Sequence, residues 1–323
     1  MKVLVTGGAG YLGSVLVPRL LHSGHEVRVL DSLMYDGSSL LSVWSDPAFE
    51  FVKGDVRDQD LIRSALVGVD AVVHLAAIVG DPACARDPEL AKAVNQEASI
   101  AFLDAAAEAG ARRFIFASTC SNYGRMSDPT KYVDENAELK PISLYAETKV
   151  GVERRMLESP SAFGDLRVTA LRFATLYGSS PRMRFDLTVN EFTMELLTKK
   201  ELVVFGEQFW RPYVHTTDAA RAVEAVLEAP EKSIGGKVFN VGSTDQNFQK
   251  QQLVEMIIPL APGAAVEYVH RDEDPRDYRV SFEKIERELD FHTTRTVDDG
   301  IREVAALVTS GVIQDFADSR YRN

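Results

Sequence analysis

The first thirty-one residues restrict this chain most. Lys2 to Val5 form a short apolar run that breaks into Thr6-Gly7-Gly8-Ala9-Gly10-Tyr11-Leu12-Gly13, after which Val15, Leu16, Leu20 and Leu21 recur at helical spacing. A second apolar run, Glu26 to Leu30, ends on Asp31, eighteen residues beyond Gly13. Strand, glycine turn, helix and second strand, in that order, predict a dinucleotide site. Gly7 makes the tight turn, Gly10 admits backbone N–H groups to a pyrophosphate, and Gly13 lets the helix close on the strand with its N-terminus facing the anion. Tyr11 and Leu12, in the same turn, belong to the same expected site. Asp31 falls where a carboxylate accepts hydrogen bonds from the adenosine ribose hydroxyls and repels a 2′-phosphate, so the expected cofactor is NAD rather than NADP.

A chain of 323 residues with 45% hydrophobic content can bury a large core, as one large domain or two smaller ones. Its formal net charge of -12 argues against nucleic acid as a partner, so any phosphate contacts fall to local arginines. Cys84 and Cys120 are too few for a disulfide framework and suit a reducing cytosol. The first strand starts at Lys2, leaving no room for a signal peptide, and no apolar run approaches about twenty residues. A soluble cytoplasmic protein with no membrane partner is expected.

Further along, Phe49 to Lys53 reads as a strand stopping at Gly54-Asp55-Val56, and Ala71 to Ala77 as a buried one. Glu89 to Gly110 reads as one long amphipathic helix, and Arg113 to Ser118 as the fifth strand. Strands separated by helical stretches mean parallel strands with crossovers, hence an α/β, doubly wound Rossmann-type sheet. Asp55, Val56, Leu75, Ala76 and Ala77 then fall at the carboxyl ends of strands, where such sheets bind ligand. His74, inside an apolar strand, has no second ligand at metal spacing. It reads as a hydrogen-bonded core histidine, and no metal is expected.

Strand Phe114 to Ala117 runs into Ser118-Thr119-Cys120-Ser121-Asn122-Tyr123-Gly124, and Tyr145 and Lys149 follow some twenty residues later. Four apart on a helix, their side chains share one face. An ammonium near a phenol favours the phenolate, as does a cationic nicotinamide, and a tyrosine so tuned serves as general base toward a hydroxyl near neutral pH. Thr119, at the strand end, can hydrogen-bond the same oxygen.

The TGxxGxxG turn, Asp31, the Ser-Thr strand end and Tyr145-x-x-x-Lys149 together resemble the extended short-chain dehydrogenase/reductase family, in its nucleotide-sugar epimerase and dehydratase group. The resemblance covers nearly the whole chain. It implies a catalytic triad of Thr119, Tyr145 and Lys149 that removes a hydride and a proton from a sugar carbon, usually C4, with Lys149 also bonding the nicotinamide ribose. It implies that Asn95 braces the active site, here grouped with the cofactor residues, and that Asp55 and Val56 lie near the adenine. Where dTDP-glucose 4,6-dehydratases carry Asp-Glu after the catalytic Thr, this chain has Cys120-Ser121, and nucleotide-sugar decarboxylases carry a Glu at the position of Ser121. Both chemistries are disfavoured. A 4-epimerase has small residues there and needs only rotation of a 4-keto intermediate. Cys120 is then either a small neutral wall or an acid/base in an atypical elimination or α-proton exchange.

On the substrate side the resemblance assigns Ser121, Asn122, Tyr123, Thr175, Asn190, Arg211 and Arg276, the two arginines on a sugar diphosphate. The rest of the run Arg271 to Arg279 reads as a solvated loop. The expected division is residues 1–173 plus 217–241 for the NAD-binding domain and 174–216 plus 242–323 for a smaller, discontinuous α/β domain binding the nucleotide sugar. The resemblance also suggests a homodimer through the helices containing Asn95 and Tyr145. The expected function is epimerisation of an NDP-hexose. The alternatives are a dehydratase using Cys120 and a non-catalytic NAD-binding redox sensor, against which the intact Thr119, Tyr145 and Lys149 argue.

Overall fold

The computed structural model describes residues 1–126, 128, 131–271 and 277–323. Strands β1 (Lys2–Thr6), β2 (Glu26–Asp31), β3 (Phe49–Lys53), β4 (Ala71–His74), β5 (Arg113–Thr119) and β6 (Arg167–Phe173) alternate with helices. After β6 the chain leaves for β7 (Thr175–Tyr177), β8 (Glu201–Phe205) and β9 (Trp210–His215), then returns through helix Thr216–Glu228 to β10 (Lys237–Val241). It ends with β11 (Asn247–Gln249), β12 (Ala265–Val269) and helices Glu283–Leu289 and Val297–Thr309.

Seven strands form one sheet in the order β10-β6-β5-β4-β1-β2-β3, every pair parallel. The chain builds outward from β1 to β3, then restarts beside β1 at β4 and builds the other way. That reversal opens a crevice at the carboxyl ends of β1 and β4, the place where doubly wound sheets take ligand. Leu16, Leu20, Val223 and Leu227 pack one face of the sheet, while Phe102, Val152 and Met156 pack the other, all at most 1% exposed. Each contributes about 1.5–3 kcal/mol of burial, which makes the strand ends a stiff platform for whatever projects from them.

The second lobe holds a three-stranded sheet, β11-β9-β7, and the parallel pair β12-β8. Tyr177, Val189, Tyr213, Leu253 and Ile301 form its core. Tyr278, Val280, Phe282, Ile285 and Phe291 instead join the core cluster of the parallel sheet, although they fall in the stretch 242–323 assigned above to the second domain. Helix Glu283–Leu289, which carries Ile285, packs beside β10.

The span Glu89–Gly110 is not one regular helix. Pro88–Lys92 is α-helical, Ala93–Ala98 forms a π-turn, and Ser99–Glu108 resumes the α-helix. The wider turn aims Asn95 inward. Among the described residues, no helix is long and apolar enough to cross a membrane.

Candidate active site

A cavity of about 830 Å³ lies at the carboxyl ends of β1, β4, β5 and β6, bounded by both lobes. That volume is in the range of small-molecule and cofactor sites. The glycine turn forms one wall. Gly7 adopts φ +72°, open to glycine at little cost, and a Cβ there meets Ala76 N at 2.8 Å. A Cβ on Gly13 meets Gly7 O at 2.3 Å, so the helix closes on the turn only because residue 13 has no side chain. Gly10, Tyr11 and Leu12 also line the cavity. Asp31 accepts from Ala9 N at 3.0 Å and from Leu33 N at 2.8 Å, while burial pushes its carboxyl above the ordinary value. This acid therefore orients the turn as well as facing the cavity.

Asp55, Val56, Leu75, Ala76 and Ala77 line the cavity, Asp55 holding Arg57 at 2.7 Å. Asn95 does not line it. Its Oδ1 accepts from Ile78 N at 2.7 Å and its Nδ2 donates to Ile78 O at 2.9 Å. Both ends of the amide are spent on the segment after β4, so Asn95 supports the cavity wall and is not a direct cofactor ligand. These features fit an adenine dinucleotide: a tight glycine turn lining the cavity, a helix N-terminus, and an acid at the end of β2. A buried guanidinium at the same wall, Arg182, adds a cationic donor with unspent hydrogen-bonding capacity.

Helix Leu144–Leu157 starts at Ser143, whose side chain accepts from Ala146 N, and its first turns carry Tyr145 and Lys149 to the cavity opposite Thr119. Lys149 is 2% exposed, its Nζ 5.9 Å from the Tyr145 ring centre and 2.8 Å from Ala117 O. Burial lowers its ammonium to about 8. Burial also raises the Tyr145 phenol, with Cys84 adding to the effect and Arg184 opposing it. Burial is the largest influence on this phenol and opposes the phenolate, while the nearby Lys149 ammonium is itself buried and bonded to a carbonyl. Thr119, 9% exposed, accepts from Ser121 N at 3.1 Å, which leaves its hydroxyl proton available to a ligand oxygen. His74 is a core residue: Nδ1 lies 2.8 Å from Thr6 Oγ1, Nε2 2.9 Å from Ser99 Oγ, and burial lowers it to about 3.

Besides Asn95, four residues assigned from sequence lie off the cavity lining. Cys120 is 1% exposed, its Sγ donating to Arg172 O at 3.2 Å, and burial raises its thiol well above the ordinary value. A thiol held protonated behind the wall does not serve as an acid/base on a ligand. Asn122 donates to Ser118 Oγ and Glu153 Oε1, and Tyr123 donates to Asn240 Oδ1 at 2.7 Å. Asn190 accepts from Gly178 N and donates to Tyr11 OH and Arg184 O, so its amide ties the glycine turn to the second lobe.

Ser121, Thr175 and Arg211 line the cavity, the Arg211 guanidinium 5.6 Å from the Tyr278 ring centre. Arg276 lies outside the described residues. Sequence reading missed Tyr278, which is 3% exposed, lines the cavity and faces Ser121 Oγ at 3.4 Å. The alternation Tyr278, Val280, Phe282 was its available signal, hidden behind the charged run. Tyr35, Arg182 and Arg184 also line the cavity with no role assigned to them from sequence. Among the described residues, no group of three His, Cys, Asp or Glu side chains could hold a metal ion.

The sequence pattern described as the NAD dependent epimerase/dehydratase family matches residues 3–242. A dTDP-glucose 4,6-dehydratase of an Actinoplanes species is 31% identical over 322 residues, covering 95% of this chain and 97% of that protein. The crystal structure of DesIV, a dTDP-glucose 4,6-dehydratase from Streptomyces venezuelae with NAD and TYD bound, superposes with a TM-score of 0.85 at 30% identity, covering 96% of this chain and 98% of that one. The UDP-glucose 4-epimerase of Thermotoga maritima, solved with UDP-glucose, gives a TM-score of 0.85 at 25% identity, covering 97% and 100%. On the match across three-quarters of its length, the chain belongs to the NAD dependent epimerase/dehydratase family.

Proposed function

We propose that the protein is an NAD-dependent epimerase of a nucleotide-diphosphate hexose, acting through transient oxidation of the sugar at C4. NAD held in this cavity would supply a reversible hydride acceptor for that carbon, the keto sugar turning between removal and return of the hydride. Tyr145 takes the hydroxyl proton and gives it back, Thr119 donates to the same oxygen, and Lys149 holds the nicotinamide ribose and adds positive charge near the phenol. Arg211 binds the diphosphate from the second lobe. Arg276, Ser121 and Thr175 complete the proposed substrate contacts.

The observation that carries epimerisation is the wall beside Thr119. Cys120 faces Arg172 O and only Ser121 of that pair faces the cavity, so neither residue that follows the threonine presents a carboxyl group to expel a hydroxyl. Full-length similarity to dTDP-glucose 4,6-dehydratases keeps dehydration as the second reading, with the acid drawn from elsewhere than Cys120. The same reading makes the protein a cytoplasmic homodimer. Two free, buried cysteines support the reducing compartment, and the family resemblance supports pairing through the helices carrying Asn95 and Tyr145.

The test is mass and NMR analysis of UDP- and dTDP-hexoses after incubation with the enzyme and NAD. A mass-neutral isomer supports epimerisation and loss of water supports the dehydratase. No change in any nucleotide sugar overturns the substrate class.

A further inference from the structure

Arg182 is a buried cation whose hydrogen-bonding capacity the protein does not fill. It is 6% exposed and lines the cavity, and its Nη2 donates to Arg322 O at 3.1 Å and Asn323 Oδ1 at 2.7 Å. Among the described residues, Nε has no hydrogen-bond partner, and the carboxylates whose charge reaches the guanidinium, Asp186 and Asp31, make no contact with it, Asp186 being paired with Arg184. The Tyr35 ring centre lies 4.3 Å from its central carbon, holding the plane of the fork against an aromatic face.

Its backbone places it at the glycine turn. Arg182 N donates to Ser14 Oγ at 3.3 Å, in the first turn of helix Gly13–His22, and Ser14 Oγ lies 2.9 Å from Ser180 Oγ. Ser180 Oγ in turn donates to Tyr11 O at 2.7 Å. Thus a segment of the second lobe is fastened to the glycine turn and to the first turn of the helix that follows it. A guanidinium this deep, without a counter-charge in contact, is matched by a ligand that is itself anionic.

The last residues of the chain hold this cation from the other side. Tyr321 O accepts from Phe185 N at 2.9 Å, and Asn323 N donates to Asp186 Oδ2 at 3.1 Å. Asn323 Nδ2 reaches Val79 O at 3.4 Å, and Arg320 lies 4.0 Å from Asp36. The segment therefore touches the loop after β2, the loop after β4 and the Arg182 segment, and Arg322 and Asn323 line the cavity.

We propose that Arg182 is a clamp for the diphosphate of the bound dinucleotide, set in place by the carbonyl of Arg322 and the amide of Asn323. The glycine turn grips the anion with backbone N–H groups, and the forked cation closes on it from the second lobe. The proposal rests on NAD occupying this cavity.

The test uses the full chain stripped of cofactor, titrated with NADH by fluorescence and then with ADP-ribose, ADP, adenosine and UDP as competitors. Arg182→Gln weakens NADH, ADP-ribose and ADP about tenfold to a hundredfold and leaves adenosine unchanged, the loss of one charge-assisted contact. Arg182→Lys, which keeps the charge and loses the fork, falls between and carries the test if the glutamine variant does not fold. Removal of residues 322 and 323 weakens NADH, but changes affinity less than about twofold when added to Arg182→Gln, because both act through one contact. NADH and ADP-ribose affinities within about twofold of wild type in both Arg182 variants overturn the clamp. Weakened UDP competition with unchanged ADP-ribose also overturns it, by moving the cation to the substrate. A wild-type chain that binds no NADH removes the cofactor reading itself.

Discussion

Glu153 and Arg172 form an ion pair directly behind Thr119, Oε2 to Nη2 at 2.6 Å, with side chains 2% and 5% exposed. Glu153 lies four residues beyond Lys149 and eight beyond Tyr145, on the buried face of the helix that carries both to the cavity. The same carboxylate accepts from Ser118 Oγ and from Asn122 Nδ2, and Arg172 Nη1 donates to Tyr123 OH at 3.0 Å. One buried charge pair thus joins the helix, the end of β5 and β6, and so sets the spacing of Thr119 and Tyr145 on the cavity wall.

Glu153→Gln keeps the shape and removes the charge, leaving the Arg172 guanidinium buried without its partner. Breaking one side of such a pair costs about 3–5 kcal/mol, and urea unfolding should show that loss. Because the residue positions the helix and does not touch ligand, kcat should fall while NADH affinity changes little. An unchanged unfolding midpoint would remove the pair from the positioning role.

Cys120→Ala should leave kcat and KM within about twofold of wild type, the usual range for a change that touches no ligand. Native protein should also resist thiol alkylation at this position. A hundredfold fall in kcat, with the fold intact by circular dichroism, would restore the thiol to the chemistry and revive the dehydratase that uses it.

The contrast between Cys120 and its neighbours shows where sequence reading stops. The sheet was legible because strand and helix periodicities are local, and Gly7, Gly13 and Asp31 because a turn and a strand end fix them. Thr119, Tyr145 and Lys149, which all line the cavity, were picked out by a strand end, a helical spacing and the family resemblance together. Cys120 to Tyr123, however, form a 3₁₀ turn in which successive side chains diverge by about 120°, so neighbours in sequence do not share a target. Only Ser121 of the four lines the cavity. Asn190 was assigned to a ligand because of its place in a motif, yet Tyr11 and Gly178, both distant in sequence, use up its amide. Arg182 is completed by Asn323, across 141 residues, a relation no local pattern records.

Burial keeps the Tyr145 phenol protonated well into the alkaline range in the protein without cofactor. Ultraviolet difference titration should therefore show no phenolate from this residue near neutral pH until oxidised NAD is added. A phenolate band should then emerge and be missing from Tyr145→Phe. That variant should keep its NADH affinity and lose about 10²–10⁴ in kcat, the usual contribution of a general acid/base. A phenolate already present before NAD is added contradicts the assignment of its tuning to the cofactor.

Glu303 joins helix Val297–Thr309 to Ser179, just after β7, and to His215, at the end of β9, and its titration should be visible in stability. Its Oε2 lies 2.9 Å from His215 Nε2, and Oε1 accepts from Ser179 N at 3.0 Å and from the Ser179 hydroxyl. Thr217 N donates to His215 Nδ1 at 3.1 Å, so Nε2 carries the proton that points at Glu303. Burial disfavours the carboxylate, but the hydrogen bonds from His215 and Ser179 outweigh it and hold the carboxyl down to about 2, against an ordinary 4.5. An acid whose folded pKa is depressed stabilises the fold fully above its unfolded value, and that contribution is lost as pH falls through the folded one. Between pH 4.5 and about 2, the melting temperature of wild type should fall more steeply than that of Glu303→Gln, which lacks the titrating group. At neutral pH the glutamine variant should be less stable by about 1.5–3 kcal/mol, the worth of hydrogen bonds to a charged group. Parallel melting curves for the two proteins over the acid range would show that the contact between Glu303 and His215 does not hold the second lobe together.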